Sequence, residues 1–234
     1  SKDHLNTEVN MGARAFKDRL YGELAAIGRA LASPHRLELL DLLGQGERSV
    51  EALAREANLS LANASAHLQV LRRARLVDAE KRGLFVVYRL ASPDVSKLWR
   101  TLRDVGASQI AEVDRLVETY LADRHALDAV SKEELAERLA DGAVVVLDVR
   151  PEIEYEQGHV AGARSIPIEE LEQRLSELSG NQEIVAYCRG PYCVFADEAV
   201  KLLQQHGIRA RRLTEGYPEW RAAGLPVEPT SAVA

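Results

Sequence analysis

Both cysteines of the chain fall in one seven-residue run, Tyr187-Cys188-Arg189-Gly190-Pro191-Tyr192-Cys193. Before it, Glu183-Ile184-Val185-Ala186-Tyr187 reads as a short buried strand. After it, Val194 to Gln205 reads as a helix with Val194, Ala199, Leu202 and Leu203 as its apolar positions. A strand that stops in a tight loop and restarts as a helix is the repeating unit of open α/β sheets, whose ligands bind beyond the strand ends. Cys188 then stands at a strand's carboxyl end, facing unpaired loop and helix amides that favour an anion. A thiolate is an anion, so the expectation is a lowered Cys188 pKa and a nucleophile at neutral pH. Gly190 tolerates positive φ and Pro191 holds φ near about −65°, which suits a curled loop. The plain alternative is two small buried hydrophobes. Zinc is weaker, because there is no third cysteine and the six histidines are scattered. A cysteine phosphatase needs an arginine six positions after its nucleophile to clamp phosphate, and that position is Val194.

Two further stretches agree with the loop. Leu147 to Pro167, with Asp148-Val149-Arg150-Pro151-Glu152 at its head and Gly158-His159-Val160-Ala161-Gly162-Ala163 further on, closely resembles the first signature of the rhodanese family. Glu215-Gly216-Tyr217-Pro218-Glu219-Trp220-Arg221, continuing to Pro226-Val227, resembles its C-terminal signature. With the loop between them the resemblance runs from about Val130 to Pro229. It implies an α/β sulfurtransferase fold in which Cys188 carries a persulfide sulfur, with Cys188, Arg189, Gly190, Pro191, Tyr192 and Cys193 as the catalytic loop. No cofactor is expected beyond that covalent persulfide, and no metal. Asp148 and Arg150 are expected in structural hydrogen bonds, His159 as a loop support rather than an acid–base group, and Trp220 as a core anchor.

Composition allows a second domain. A length of 234 residues suffices for two, and 46% hydrophobic with 28% charged residues is ordinary for a globular protein. No apolar run reaches the roughly 18–20 residues of a membrane helix, no signal peptide is visible, and two cysteines make no secreted scaffold, so a cytoplasmic location is expected. The overall charge of −6 is unevenly spread. Residues 1–100 hold 16 Lys and Arg against 12 Asp and Glu, a net of +4, and residues 101–234 hold 14 against 24, a net of −10. A basic first half points to nucleic acid.

The first half reads as a string of helices. Residues 1–14 are expected to be disordered, with Met11, the only methionine, as the natural start. Ala15 to Ala32 has an apolar stripe of Leu20, Leu24, Ile27 and Leu31. Ser33 is placed to cap a helix that starts at Pro34 and buries Leu37, Leu40 and Leu43. Ser49 is placed to cap Val50–Ala57, and Ser60 to cap Leu61–Ala74, the two joined at Asn58-Leu59. Such a pair fits a helix-turn-helix. Leu61, Ala64, Leu68 and Leu71 are expected in the core. Ser60, Asn63, Ser65, Ala66, His67 and Gln69 form the outer side near the helix start, where bases are read. Arg72 and Arg73 lie near its end, where phosphates lie. Leu76–Glu80 and Phe85–Leu90 alternate like strands about a basic turn, Lys81-Arg82-Gly83-Leu84, making a wing.

Leu31-Ala32-Ser33-Pro34-His35-Arg36-Leu37, Ser65-Ala66-His67-Leu68-Gln69-Val70-Leu71 and the wing resemble the ArsR/SmtB family of winged-helix repressors from about Ile27 to Leu121. The resemblance implies a homodimer on a double-stranded, pseudo-palindromic operator. Arg75 departs from it, standing where the family commonly has glycine, so a positive φ there would store strain. The family's metal-sensing cysteine pair is also missing: the region reads Arg48-Ser49-Val50-Glu51-Ala52-Leu53. On the last helix Asp94, Asp104 and Asp114 have no histidine beside them.

That helix, about Asp94 to Leu121, is too long to be buried on so small a domain. Its Leu98, Leu102 and Val105 are expected to form the dimer interface with Leu20, Leu24 and Ile27. The domains expected are a winged helix over 15–122, a link over 123–129 with an exposed His125, and a rhodanese-like parallel sheet with flanking helices over 130–229, opened by a Ser131–Glu134 capping box and followed by a 230–234 tail. Three functions follow. The first is a repressor that senses reactive sulfur or redox state, Cys188 taking sulfur from thiosulfate, polysulfide or a small persulfide and bridging to Cys193. In that reading Arg189 attracts the anionic donor. The second is a working sulfurtransferase with a DNA-binding module, and the third an arsenite sensor using both loop thiols.

Overall fold

The computed structural model describes residues 2–121, 127–178 and 182–228, with side chains from residue 12 onward. His125, expected to be exposed, most of the 123–129 link and the 230–234 tail lie outside the described residues. The chain forms two compact units, Ser1–Arg100 and Thr101–Ala234. The division falls inside a helix, well before the expected link.

The first unit runs α1 (Lys2–Leu31), α2 (Pro34–Gln45), β1 (Arg48–Ser49), α3 (Val50–Glu56), α4 (Leu61–Arg73), β2 (Val77–Arg82) and β3 (Phe85–Leu90), then enters α5 (Pro93–Gln109). Helix α1 includes residues 2–10, where disorder was expected on polarity alone; no proline interrupts that stretch. Ser49 and Ser60 cap as expected, their Oγ atoms accepting from Ala52 and Asn63 N–H at 3.2 Å each. Ser33 does not cap: it is extended, and its side chain makes no capping bond at the helix that Pro34 opens. Between α3 and α4, Asn58 takes the left-handed turn at φ 51°.

Leu39, Leu40, Leu53, Leu68, Leu71, Val77 and Tyr88 make the core of this unit. Leu61 is exposed rather than buried. As the first residue of α4 it lies beyond the stripe that Ala64, Leu68 and Leu71 turn inward. The wing strands run further than expected, with Arg82 paired to Phe85 and only Gly83-Leu84 left to turn. Gly83 supplies the positive φ, 62°, which such a short hairpin demands. Arg48-Ser49 adds a third strand on β3 that the sequence does not announce.

The expected single last helix is two. Helix α5 ends at Gln109, Ile110 is extended at φ −114° and ψ 100°, and α6 (Ala111–Tyr120) follows. A β-branched residue after Gly106-Ala107-Ser108 makes this a weak point for a helix.

The second unit continues with β4 (Ala129–Val130), α7 (Lys132–Ala140), β5 (Val144–Asp148), α8 (Glu152–Tyr155), β6 (His159–Val160), β7 (Arg164–Ser165), α9 (Ile168–Leu171), a 3₁₀ stretch (Glu172–Leu178), β8 (Glu183–Tyr187), α10 (Phe195–Gln205), β9 (Ala210–Leu213), α11 (Tyr217–Ala222) and β10 (Val227–Glu228). Five parallel strands lie in the order β4-β9-β8-β5-β7. Central β8 alternates strictly: Ile184, Ala186 and Cys188 enter one core with Ala199 and Leu203 of α10, while Val185 and Tyr187 enter the other with Leu135 and Trp220. The sheet is thus covered on both faces, and Cys188 leaves it on the α10 side.

Candidate functional site

The strand end that presents Cys188 is locked by a buried polar knot. Asp148 pairs with Tyr187 across β5 and β8. Tyr187 donates its hydroxyl to Asp148 Oδ2 at 2.5 Å and accepts Val160 N–H at 3.1 Å. Arg150 grips the same carboxylate through Nε and Nη2, at 2.9 and 2.6 Å, and donates to the Gly158 carbonyl at 2.9 Å. Asp148, Arg150 and Tyr187 are all fully buried. Burial, and then the Asp148 charge, hold the Tyr187 hydroxyl well above its ordinary pKa, so it stays a donor. Asp148 and Arg150 are structural hydrogen-bonding groups. His159 is as well: its ring stacks on Tyr155 at 3.7 Å, and its Nδ1 lies 2.9 Å from the Tyr155 carbonyl.

Beyond that knot the loop curls around both sulfurs, and the Cys188 thiol faces the Gly190 and Cys193 carbonyls at 3.9 and 3.8 Å. Gly190 and Ala196 N–H groups point at the Cys188 sulfur, and Arg189 and Phe195 N–H groups at Cys193. Cys188 is 3% exposed while Cys193 is half-buried, and the two thiols are hydrogen-bonded to each other. The lowered Cys188 pKa expected from the amides alone is therefore not found. Burial pushes the Cys188 thiol well up, and the neighbouring Cys193 adds to it. Cys193 is instead lowered to about 7, chiefly by the hydrogen bond from Cys188, against its own burial. The two shifts belong to one coupled pair, with burial favouring the neutral form of Cys188 and the hydrogen bond favouring the charged form of Cys193.

Arg189 is engaged by Glu154 rather than left free to attract a donor. Its Nη2 stands 2.5 Å from Oε1 of the fully enclosed Glu154, and its guanidinium lies over the Phe195 ring at 5.6 Å. Pro191 is half-buried and Tyr192 exposed at the loop's outer edge. Gly190 has the expected positive φ, 159°, a conformation that residues with a side chain rarely adopt. Gly216 is the glycine that close approach requires, because a Cβ there would collide with the Arg189–Gly190 peptide. The next residue, Tyr217, donates its N–H to the Cys188 carbonyl at 3.1 Å.

In the first unit α4 presents the expected outer face unevenly. Asn63, Ala66, Arg72 and Arg73 are exposed, and Ser65 is half-buried. Ser60 is engaged as the helix cap. Gln69 turns toward the wing, its Nε2 donating to Tyr88 Oη at 3.3 Å. His67 sits beside His35 with ring centres 5.4 Å apart, and burial, His35 and Arg36 hold its pKa below the ordinary value. On the wing Lys81 is exposed, whereas Arg82 is held by both Glu47 and Glu80. Arg75 takes φ 57°, the conformation for which glycine is the easy choice.

The apolar residues assigned to a dimer face remain open. Leu20, Leu24, Leu98, Leu102 and Val105 are exposed, and Ile27 is half-buried. Among the described residues no three His, Cys, Asp or Glu are arranged to hold a metal, and no helix is long and apolar enough to cross a membrane. Three contributors to the loop escaped the sequence reading. Glu154 and Glu219 lie inside the two rhodanese-like signatures without any spacing that reveals their roles. Arg103 lies far from both in sequence.

Comparison with known proteins matches a helix-turn-helix domain to residues 31–80 and a rhodanese-like domain to residues 131–223. The HTH-type transcriptional regulator Rv0324 of Mycobacterium tuberculosis is 44% identical over 212 residues, 91% of this chain and 93% of that one. A sulfurtransferase of Allochromatium vinosum is 30% identical over 102 residues, 43% of this chain and 94% of its own length. Among solved structures, the homodimeric winged helix-turn-helix DNA-binding domain of Mb0332 from Mycobacterium bovis, a possible ArsR-family regulator, is 41% identical, covers 40% of this chain and 87% of its own, and superposes with a TM-score of 0.39.

Proposed function

Because the chain belongs to the family of the HTH-type transcriptional regulator Rv0324, joining an ArsR-type helix-turn-helix domain to a rhodanese-like domain, we propose that it is a homodimeric repressor which reads reactive sulfur species through Cys188 and Cys193. The observation that carries this reading is the juxtaposition of the two loop thiols, Cys188 buried at the strand end and Cys193 half-buried and hydrogen-bonded to it. The hydrogen bond with Cys188 lowers the Cys193 pKa to about 7, against its own burial.

The chemistry balances with these two residues and the donor alone. Cys188 passes its proton to Cys193 and attacks the outer sulfur of a polysulfide or small persulfide. The donor's S–S bond breaks, its remaining thiolate leaves with the electron pair, and Cys188 keeps a persulfide under the Gly190 and Ala196 amides. Cys193, deprotonated again, attacks the inner sulfur of that persulfide. A Cys188–Cys193 disulfide forms and hydrosulfide leaves, so the two thiols are oxidised while the sulfane sulfur is reduced to sulfide. Thiosulfate enters the same way with sulfite as leaving group. The loop must reshape to accept the added sulfur or the bridge, and a two-state protein follows such a local change through differential stability of its states.

Intact mass and DNA affinity, measured on the same samples before and after polysulfide, test the proposal. Expected are a gain of one sulfur or a loss of two hydrogens at the loop, and a changed affinity for an operator duplex, both abolished in Cys188→Ser. A Cys188→Ser chain that still changes its DNA affinity with polysulfide overturns the mechanism. Rapid turnover with cyanide, with no effect of loading on DNA, assigns the chain instead to the sulfurtransferase reading that its 30% identity to a sulfurtransferase favours.

A further inference from the structure

Gly190 is overlaid by an ion pair with no trace in the motif pattern. A Cβ on Gly190 would stand 3.6 Å from Arg103 Nη1 and 3.7 Å from Glu219 Oε2. Arg103 belongs to α5 and to the compact unit Thr101–Ala234. Its Nη1 donates to Glu219 Oε1 at 2.9 Å, and the two side chains are only 11% and 12% exposed. The other Glu219 oxygen accepts the Gly216 N–H at 3.0 Å. Gly216 packs so closely on the Arg189–Gly190 peptide that no side chain fits between them. One residue on, Tyr217 N–H holds the Cys188 carbonyl at 3.1 Å. The path from Arg103 through Glu219 and Gly216 thus ends on two peptides. Their N–H groups, of Gly190 and of Arg189, are those aimed at the sulfurs of Cys188 and Cys193.

We propose that Arg103 is a positioning residue for the two-thiol loop, clamping through Glu219 and Gly216 the peptides that serve both sulfurs. Arg103 lies outside residues 131–223, the stretch that matches the rhodanese-like domain, so that stretch alone does not contain the clamp. Although burial works against its charge, Glu219 and then Asp104 keep Arg103 protonated. Because the clamp acts on the loop that accepts sulfur, the inference rests on the function proposed above.

The test uses the full chain and iodoacetamide, with alkylation at the loop followed by mass between about pH 6 and 9 in the parent, Arg103→Ala, Arg103→Lys, Glu219→Gln and the Arg103→Ala/Glu219→Gln pair. Melting temperature is recorded for each. Loss of the clamp lets the amides drift from the sulfurs. Arg103→Ala is then expected to raise the pH midpoint of Cys193 alkylation and to slow the reaction at pH 6.5 roughly three- to ten-fold, as the thiolate fraction falls. Glu219→Gln should do the same, the pair should go no further than either alone, and Arg103→Lys should recover part of the rate. An unchanged midpoint in Arg103→Ala overturns the proposal. So does a change that tracks melting temperature and is not rescued by lysine. If Arg103→Ala does not fold, Arg103→Lys and Glu219→Gln decide by the same midpoint. A polysulfide arm on the parent separates the two ideas: no mass gain at Cys188 sinks the sulfur-accepting reading, while the alkylation midpoint still settles the role of Arg103.

Discussion

Arg189 and Glu154 form an ion pair in which only the arginine reaches water. The carboxylate is 0% exposed and the guanidinium 19%, with Nη2 to Oε1 at 2.5 Å. Such a pair orients a loop more than it strengthens a fold, because desolvation offsets much of the attraction. Removing one partner is another matter. Glu154→Ala should cost about 2 kcal/mol, below the range for a wholly buried pair since Arg189 keeps some solvent. Urea unfolding measures this, and an unchanged midpoint would show that the pair contributes nothing.

Cys193 titrates at about 7 because Cys188 donates to it. Between pH 6 and pH 7 its alkylation rate should rise roughly five-fold and then level off above pH 8, following the thiolate fraction. In Cys193→Ser the neighbour that helps hold Cys188 up is gone, while burial remains. The Cys188 thiol should then titrate lower than in the parent, and a persulfide formed there should persist without a bridge. Absorbance of the thiolate against pH, with peptide masses after polysulfide, checks both points.

On DNA the exposed cations should matter unequally. Arg72→Ala and Lys81→Ala should weaken binding to all sequences alike and reduce the salt slope by about one for each phosphate no longer neutralised. Arg82→Ala should do less, because Glu47 and Glu80 already hold that guanidinium. Asn63→Ala should relax base preference, whereas Gln69→Ala should loosen the wing by removing the hydrogen bond to Tyr88. Affinities measured at several salt concentrations separate these outcomes, and an Arg82→Ala loss equal to that of Lys81→Ala would contradict the ranking.

Arg75 holds φ 57° where glycine would sit without strain. Arg75→Gly should therefore stabilise the first unit by about 1 kcal/mol, the left-handed cost minus the added freedom of glycine in the unfolded chain. Chemical denaturation is the measurement, and destabilisation would show that the Arg75 side chain makes up for its backbone.

Leu24 is 53% exposed and Leu102 38%. Leu24→Glu and Leu102→Glu should each convert the full chain from dimer to monomer in sedimentation at micromolar concentration. A parent chain that is itself monomeric would remove the dimer from the proposal.

Much of this molecule is written in local pattern. The alternation in Ile184–Cys188, the 3.6-residue repeat of Ala64, Leu68 and Leu71, and the serine caps at Ser49, Ser60 and Ser131 depend on neighbours within a turn or a strand. They determine the elements, both domain types and the position of Cys188 at a strand end. Tertiary structure alone decided the opposite directions in which the two thiols are shifted. Amides near a cysteine can be anticipated from a strand–loop–helix order, but the burial that pushes the Cys188 thiol up comes from packing against α10, and the hydrogen bond that lowers Cys193 comes from the curl that brings the two sulfurs together. The same holds for the counter-ions. Glu154 finds Arg189 across 35 positions and Arg103 finds Glu219 across 116. Charges that far apart in sequence meet only when the fold brings them together, where the low dielectric of a closed interior makes each pairing strong enough to orient a loop.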